Sequence, residues 1–214
     1  MAIVQQRGRQ SWGCATIGGS SALHRALYVR DVCALQIAAA ESPPRAHGVY
    51  PRVRPRLDRA AQVAAASEWL SWWHALVDLQ ARLYDPAEAG MTLGARRRLD
   101  RHLAISRSWD ERAWMTERPA LARAVAVASE TFAAGTAPRS GVHAPYEVMK
   151  SVAEEVIAER HVEPSKVRLL LVSLPVPGKW WHVWSPGVAL VAEDAVRGDA
   201  QATEVLRAGY LSAV

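Results

Sequence analysis

The sequence contains no asparagine, a single phenylalanine (Phe132) and only three lysines, and it has no apolar run long enough for a membrane span. Lysine, asparagine and phenylalanine have AT-rich codons, so their scarcity is typical of a GC-rich coding sequence. Much of the arginine excess then reflects mutational pressure. The pI of about 9.6 is therefore weaker evidence for nucleic-acid binding than such a value usually is.

Cysteine is also scarce, because Cys14 and Cys33 are the only two in the chain. With no C-x-x-C pair, the sequence excludes a local cysteine zinc site and a disulfide-dense scaffold. No apolar segment follows Arg7 and Arg9, so we expect no secretory signal. These absences together predict a cytoplasmic protein with no membrane association.

The chain has 214 residues, of which 50% are hydrophobic and 22% are charged. This composition is typical of a globular protein. Residues 1–60 hold nine arginines against three acidic residues, whereas the rest of the chain is close to neutral. The basic character of the protein is therefore concentrated at its N-terminus.

Residues 1–56 are punctuated by glycine at the start and by proline at the end. Proline fixes φ and biases the preceding residue to extended geometry. We therefore predict a basic, Pro/Gly-rich arm over residues 1–56 that is poorly ordered or partly helical, with one loosely patterned helix over residues 21–40. An alternative is that part of this stretch is an upstream extension with no evolved structure.

A helical pattern begins at Asp58, a good N-cap residue, and continues without glycine or proline. Its tryptophans and leucines recur at intervals of three and four, over an arc wide enough for a central helix packed on more than one side. Further helices are predicted over residues 94–105, 108–118, 119–132 and 200–212, with another that begins at Pro145. Strands are predicted over residues 167–174, 180–184 and 188–192.

This order predicts an α+β protein that is predominantly helical, with a helical body, a small C-terminal antiparallel β-meander and a final helix. We expect residues 57–214 to form a single domain. We also expect the tryptophans of the central helix to meet those of residues 180–184 in one dry interior.

The segment Lys179–Trp184 carries the most specific chemical pattern of the chain. Alternate side chains of a strand share a face, so Trp180, His182 and Trp184 should stand together. An imidazole between two indoles suits stacking on a base, a sugar ring or a cation. The simpler interpretation is structural: one face of the strand packs on the Trp69–Trp73 helix, and the other face is partly covered by a neighbour.

A weaker candidate is the pair His74 and Asp78, one helical turn apart, in which a carboxylate can orient an imidazole. Because no nucleophile accompanies this pair, a helix-surface contact explains it equally well. No H-E-x-x-H or H-x-H spacing occurs, so we predict neither a metal nor another cofactor.

Three functions are compatible with these features. The first is a non-catalytic interaction or regulatory protein, which docks a protein partner or a second copy through a Trp-rich surface. The second is a small-molecule enzyme with His182 as acid or base, a class that the missing catalytic motifs disfavour. The third is nucleic-acid binding through residues 45–59, and the candidate phosphate contacts there are Arg52, Arg54, Arg56 and Arg59.

Overall fold

The computed structural model describes residues 2–5, 12–18, 20–46, 57–82, 109–130, 132 and 143–214. The protein is α+β and predominantly helical, as predicted, and it divides into two compact units. The sheet unit comprises residues 2–5, 12–18 and 143–214 of the described chain. The helical unit comprises residues 20–46, 57–82, 109–130 and 132.

The sheet unit is built on one five-stranded sheet of order β1-β2-β3-β5-β4. The β1–β2 and β4–β5 pairs are antiparallel, whereas β3 is parallel to both β2 and β5. The strands are β1 (Ala2–Gln5), β2 (Gly13–Gly18), β3 (Arg168–Leu174), β4 (Trp181–Ser185) and β5 (Val188–Ala192).

The predicted C-terminal strands form as expected because their sequences are apolar and short. Residues 169–174 of β3 are all buried, as a central parallel strand requires. The sequence predicted an antiparallel meander, and antiparallel pairing joins β4 to β5, while β5 lies between β3 and β4 and runs parallel to β3. The chain therefore passes over the β5 position before it returns through the β4–β5 hairpin.

The turn of that hairpin depends on Gly187. Residues with a side chain rarely adopt its φ of 70°. A Cβ atom there would also lie 2.8 Å from the Arg168 carbonyl oxygen. The Gly187 carbonyl in turn accepts a hydrogen bond from the Leu170 N–H at 2.7 Å. Glycine therefore lets β5 start close to β3.

Two long helices of the sheet unit pack on each other, and the C-terminal one also packs on β3, β4 and β5. They join through Arg207, whose guanidinium pairs with Glu159 and lies 3.8 Å from Glu155. These two helices are α5 (Tyr146–Arg160) and α6 (Asp199–Ser212). The helices of the helical unit are α1 (Ser21–Val32), α2 (Arg59–Arg82), α3 (Glu111–Thr116) and α4 (Pro119–Ser129).

In the helical unit, α2 packs against α1 and α4, and its tryptophans form the centre of the core. Trp69, Trp72 and Trp73 are all fully buried. The Trp69 and Trp73 rings stack with centroids 5.5 Å apart, and the Trp69 Nε1–H donates to the Ala26 carbonyl of α1 at 2.8 Å. The wide apolar arc of α2 is therefore the signature of a central helix, as predicted.

Side chains cap the starts of α2, α3 and α4. Asp58 accepts from the Ala61 N–H at 2.8 Å and caps α2, as its position predicted. For α3 the cap is Asp110, whose side chain accepts from the Arg112 and Ala113 N–H groups. Glu68 of α2 supplies the cap that α4 lacks locally, because its carboxylate accepts from the Leu121 N–H at 2.7 Å.

The N-terminal 56 residues contain packed elements where the sequence analysis expected an arm. Of this stretch, β2 is a buried strand of the sheet and α1 is a largely buried helix. The pattern concealed β2 because its six residues are small or flanked by glycine, and because its partner β3 lies near the other end of the chain. The predicted helix over residues 94–105 and the proline-rich end of the predicted arm, residues 47–56, lie outside the described residues.

The two tryptophan segments lie in different compact units, which corrects the expectation of one shared interior. Trp69–Trp73 belong to the helical unit and Trp180–Trp184 to the sheet unit. Within the described ranges, no helix is both long enough and apolar enough to cross a membrane.

Candidate functional site

The aromatic face of β4, which we define as the side chains of Trp180, His182 and Trp184, brings three rings together at this strand, whose register with β5 shifts between Val183 and Ser185. The Trp180 and His182 rings are nearly parallel, with centroids 6.5 Å apart and an interplanar angle of 16°. The Trp184 ring meets His182 edge-on at 6.3 Å and 72°. The three rings therefore form one continuous surface along the strand.

This surface lies at the margin of the sheet, since β4 is its terminal strand. His182 is the register partner of Leu190 on β5. Leu190 is fully buried, whereas Trp180, His182 and Trp184 are all half-buried. The aromatic face is therefore partly covered, and it is neither fully buried nor fully exposed.

The other face of β4 has a structural role. Trp181 and Val183 pair with Val191 and Ala189, so they share a face with the alternating residues of β3 that include Leu169. A Cβ atom on Gly209 of α6 would lie 2.6 Å from the Leu169 side chain, so this is the face that α6 covers. Trp181 and Val183 are half-buried on this side, as the rings of the aromatic face are on the other.

The second predicted candidate is His74 with Asp78 on α2. His74 Nε2 lies 3.5 Å from Glu41 Oε1, in the segment that follows α1. Asp78 is exposed. A role of this pair in catalysis stays a prediction.

Of the predicted phosphate contacts, Arg52, Arg54 and Arg56 lie outside the described residues. Arg59 is exposed at the first position of α2. Arg45 donates to the Leu35 carbonyl at 2.9 Å, so it ties two loop segments together. Nucleic-acid binding by residues 45–59 therefore stays a prediction.

A polar cluster that the sequence analysis missed joins three helices of the helical unit. Glu111 of α3 pairs with Arg25 of α1 and accepts from the Trp72 Nε1–H at 3.2 Å. The Arg25 guanidinium lies 5.8 Å from the Trp72 ring centroid, and a cavity of about 270 Å³ opens beside Arg25 and Glu111. No local spacing links these residues, so only the tertiary structure reveals the cluster.

Burial raises the pKa values of two thiols, which keeps both of them protonated and unreactive near neutral pH. Desolvation raises the pKa of Cys14 to about 12, and the hydrogen bond from Tyr210 opposes this only in part. Burial raises the pKa of Cys33 to about 11. Since the thiolate is the nucleophile, both cysteines are placed as structural residues.

A histidine and a tyrosine are shifted by the same cause. Burial lowers the pKa of His24 below 6.5, and it raises the pKa of Tyr210 well above 10 with help from Cys14. Both groups therefore stay uncharged near neutral pH in the folded protein.

Ligand sites of other kinds are limited in the described part of the chain. Among those residues, no group of three or more His, Cys, Asp or Glu side chains could hold a metal ion. A groove of about 610 Å³ lies in the helical unit, between residues 36–39 and α2. The walls of this groove show no chemical motif, so no pattern in the sequence predicts it.

The fold and the aromatic face of β4 together define the class of this protein: an α+β protein with an aromatic edge strand. Comparison with known proteins adds no family, because no protein-family model, no curated protein and no solved structure matches the chain.

Proposed function

We propose that this protein is a non-catalytic interaction protein, which binds an extended segment of a partner protein along β4. The observation that carries this proposal is the half-buried aromatic face of Trp180, His182 and Trp184 on the terminal strand of the sheet. Tryptophan is enriched among the residues that dominate binding energies at protein interfaces.

The backbone of β4 supports strand addition. The Ala192 N–H donates to the Trp180 carbonyl at 2.8 Å, which makes Trp181 and Val191 a pair without mutual hydrogen bonds. In an antiparallel ladder, the N–H and C=O groups of Trp181 and Val183 then point away from β5. They are the donors and acceptors that an added strand uses.

The sequence of β4 supports the same conclusion over the first part of the strand. Natural edge strands are protected from pairing by proline, lysine, inward charges, short length or β-bulges. The strand Trp181–Ser185 contains no proline, lysine or other formally charged residue, but its register with β5 shifts between Val183 and Ser185. An added strand is therefore expected to pair with the regular part of the edge, residues 181–183.

The side chains and the backbone then have separate roles. A partner strand beside β4 gains main-chain hydrogen bonds that do not depend on its sequence. Its alternate side chains lie next to Trp180, His182 and Trp184, and contact with these rings selects which partner sequences bind. Specificity is therefore assigned to the aromatic face and baseline affinity to the strand edge.

Binding of a displayed library of linear peptides tests this function. The wild-type chain is expected to select peptides, and a double variant with Trp180→Ala and Trp184→Ala is expected to lose them. Trp114→Ala removes a half-buried indole from the helical unit and is the matched control. Selection of no peptide, or equal selection by the double variant, would contradict the proposal.

Hydrogen exchange distinguishes strand addition from side-chain contact alone. A selected peptide is expected to slow exchange at the Trp181 and Val183 amides, because these point outward in the free protein. Val183→Pro removes one outward N–H at an edge position where proline is tolerated, and it should weaken binding while retaining all three rings. Unchanged exchange at both amides in the complex would exclude strand addition.

A further inference from the structure

A second binding site is indicated in the helical unit by the groove between α2 and the extended residues 36–39. Its volume is about 610 Å³, within the range of about 300–1,000 Å³ that is typical of small-molecule sites. Ten residues line it, whereas a standard protein interface uses about 20–30 residues a side. These dimensions favour a small ligand over a protein partner.

The floor of the groove is one face of α2. Arg59, Val63, Ala66 and Leu70 line it, and their spacing of four, three and four residues places them along a single helix face. A rise of about 1.5 Å per residue makes this floor about 16 Å long. The groove is therefore elongated, with Arg59 at one end and Leu70 at the other.

The lining is mostly apolar in chemical terms. Ile37 and Ala38 face the α2 residues from the extended wall. Val63 is 66% exposed although it is a large aliphatic side chain, so an apolar ligand that covers it gains the free energy of removing that surface from water.

Most of the polar side chains in the lining already have backbone partners. Ser67 Oγ–H donates to the Ala64 carbonyl at 2.8 Å, and Gln62 Nε2–H donates to the Leu57 carbonyl at 3.2 Å. Gln36 Nε2–H donates to the Ala34 carbonyl at 3.3 Å. These groups therefore add little demand for a polar ligand.

Arg59 is the one charged side chain among the lining residues. It is exposed, and the described residues offer it no ion pair. Arg59 is also the first residue of α2, where the helix dipole adds positive potential. Asp58 is committed to the helix as its cap, through the Ala61 N–H at 2.8 Å. The groove thus pairs an apolar trough with a cationic end.

We propose that this groove binds a small amphiphilic anion, with its carboxylate at Arg59 and a linear apolar chain along α2 toward Leu70. Charge complementarity selects the head group, and the exposed aliphatic floor selects the tail. The site lies in the helical unit and involves none of the residues of the aromatic face, so it is independent of the proposed partner binding.

Calorimetric titration of the full chain with decanoate tests this proposal, with decyltrimethylammonium as the cationic counterpart. We expect one decanoate to bind and the cation not to bind. Arg59→Gln should weaken decanoate binding about fivefold, as expected for an exposed ion pair. Ala66→Trp should abolish binding by filling the groove. Arg82→Gln and Ala64→Trp, which change exposed residues of α2 outside the lining, should bind like wild type.

Val63→Glu, which changes an exposed side chain, gives a second test if Ala66→Trp impairs folding, and it should also abolish decanoate binding. Failure of the wild-type chain to bind decanoate would overturn the proposal, as would unchanged binding by Ala66→Trp or Val63→Glu. Sedimentation gives the remaining contrary outcome, since a wild-type dimer that Val63→Glu dissociates would assign the groove to a second copy of the chain.

Discussion

At the scale of single residues, a buried guanidinium holds the segment that follows α1. Arg30 is 2% exposed. It donates to Asp31 at 2.7 Å and to the Pro44 carbonyl at 2.9 Å, and it also bonds the Pro43 carbonyl. Asp31 accepts in turn from the Ala46 N–H at 2.8 Å. One side chain therefore satisfies several backbone groups that have no regular secondary structure.

Replacement of Arg30 tests this role. Arg30→Met should lower the free energy of unfolding by about 3–5 kcal/mol, because it leaves buried carbonyls and a carboxylate without their donor. Arg30→Lys should cost less, since an ammonium keeps the charge but cannot reproduce the fork. Urea denaturation measures both, with Arg123→Met on the exposed face of α4 as the control. A loss below about 1 kcal/mol in Arg30→Met, the net value of one ordinary hydrogen bond, would contradict the assignment.

His24 gives the protein a pH dependence whose sign follows from its burial. The pKa of His24 is lowered below 6.5 in the folded state, so the unfolded chain takes up a proton that the folded chain resists. The contribution of the uncharged His24 side chain to stability is therefore fully present above pH 6.5, and it is lost as the pH falls below that value.

The expected result is that wild type loses more stability than His24→Gln between about pH 7.5 and about pH 5. Urea midpoints at the two pH values measure the difference. His143→Gln removes an exposed imidazole and should keep the wild-type slope. Equal slopes for His24→Gln and wild type would show that His24 does not carry this dependence.

At the scale of elements, the sequence pattern predicted the helices and strands whose buried residues recur periodically or form a continuous run. The buried residues of α2 recur periodically and those of β3 form a continuous run, and both elements were predicted. By contrast, β2 is made of small residues and depends on a partner that is distant in sequence. Periodicity shows which side chains are buried, but not against which element, so the two tryptophan segments were wrongly combined.

The same limit applies to the candidate sites. Strand alternation is a local rule, and the Trp180, His182 and Trp184 rings do lie next to one another, although the register with β5 shifts between Val183 and Ser185. The groove beside α2 was not predicted. Its other wall, residues 36–39, has no regular periodicity, and only the tertiary structure brings that wall next to α2.

The contact between α6 and β3 leads to a prediction with opposite signs in two backgrounds. A Cβ atom on Gly209 would lie 2.6 Å from Leu169 Cδ1, and overpacking costs about 1–3 kcal/mol. The gain in helix propensity from glycine to alanine is about 1 kcal/mol. Gly209→Ala should thus destabilise the protein, yet stabilise a Leu169→Ala background. Denaturation of the four proteins of this cycle measures the coupling, and additive effects would contradict it.

At the scale of the whole molecule, each compact unit contains one buried thiol. Cys14 lies in the sheet unit and Cys33 in the helical unit. Because burial raises the pKa of both thiols, each is expected to react with a thiol reagent at neutral pH only after its own unit opens.

Thiol labelling in increasing urea can therefore follow the two units separately, in Cys33→Ala and Cys14→Ala proteins. Trp69→Ala, a loss of about 3–5 kcal/mol from the helical core, should shift the labelling of Cys33 more than that of Cys14. Leu169→Ala should do the reverse. Ala200→Cys, an exposed position on α6, should react at once and is the positive control. Identical shifts of both thiols would mean that the two units unfold as one.

The arrangement of the sheet also affects how the proposed functions can be tested. Removal of residues 1–56 would have been the natural test of a basic arm. Because β2 is the strand between β1 and β3, that deletion would remove part of the sheet together with the arginines. Substitution of Arg52, Arg54, Arg56 and Arg59 is therefore the appropriate test of nucleic-acid binding.

The pairing of Gly13 with Arg168 has a consequence for synthesis of the protein. As the chain leaves the ribosome, β2 emerges long before the strand that it must join. Its unpaired edge therefore stays open while residues 19–167 are translated, which gives aggregation time to compete. We expect the yield of native protein in cells to depend on chaperones that shield this early segment.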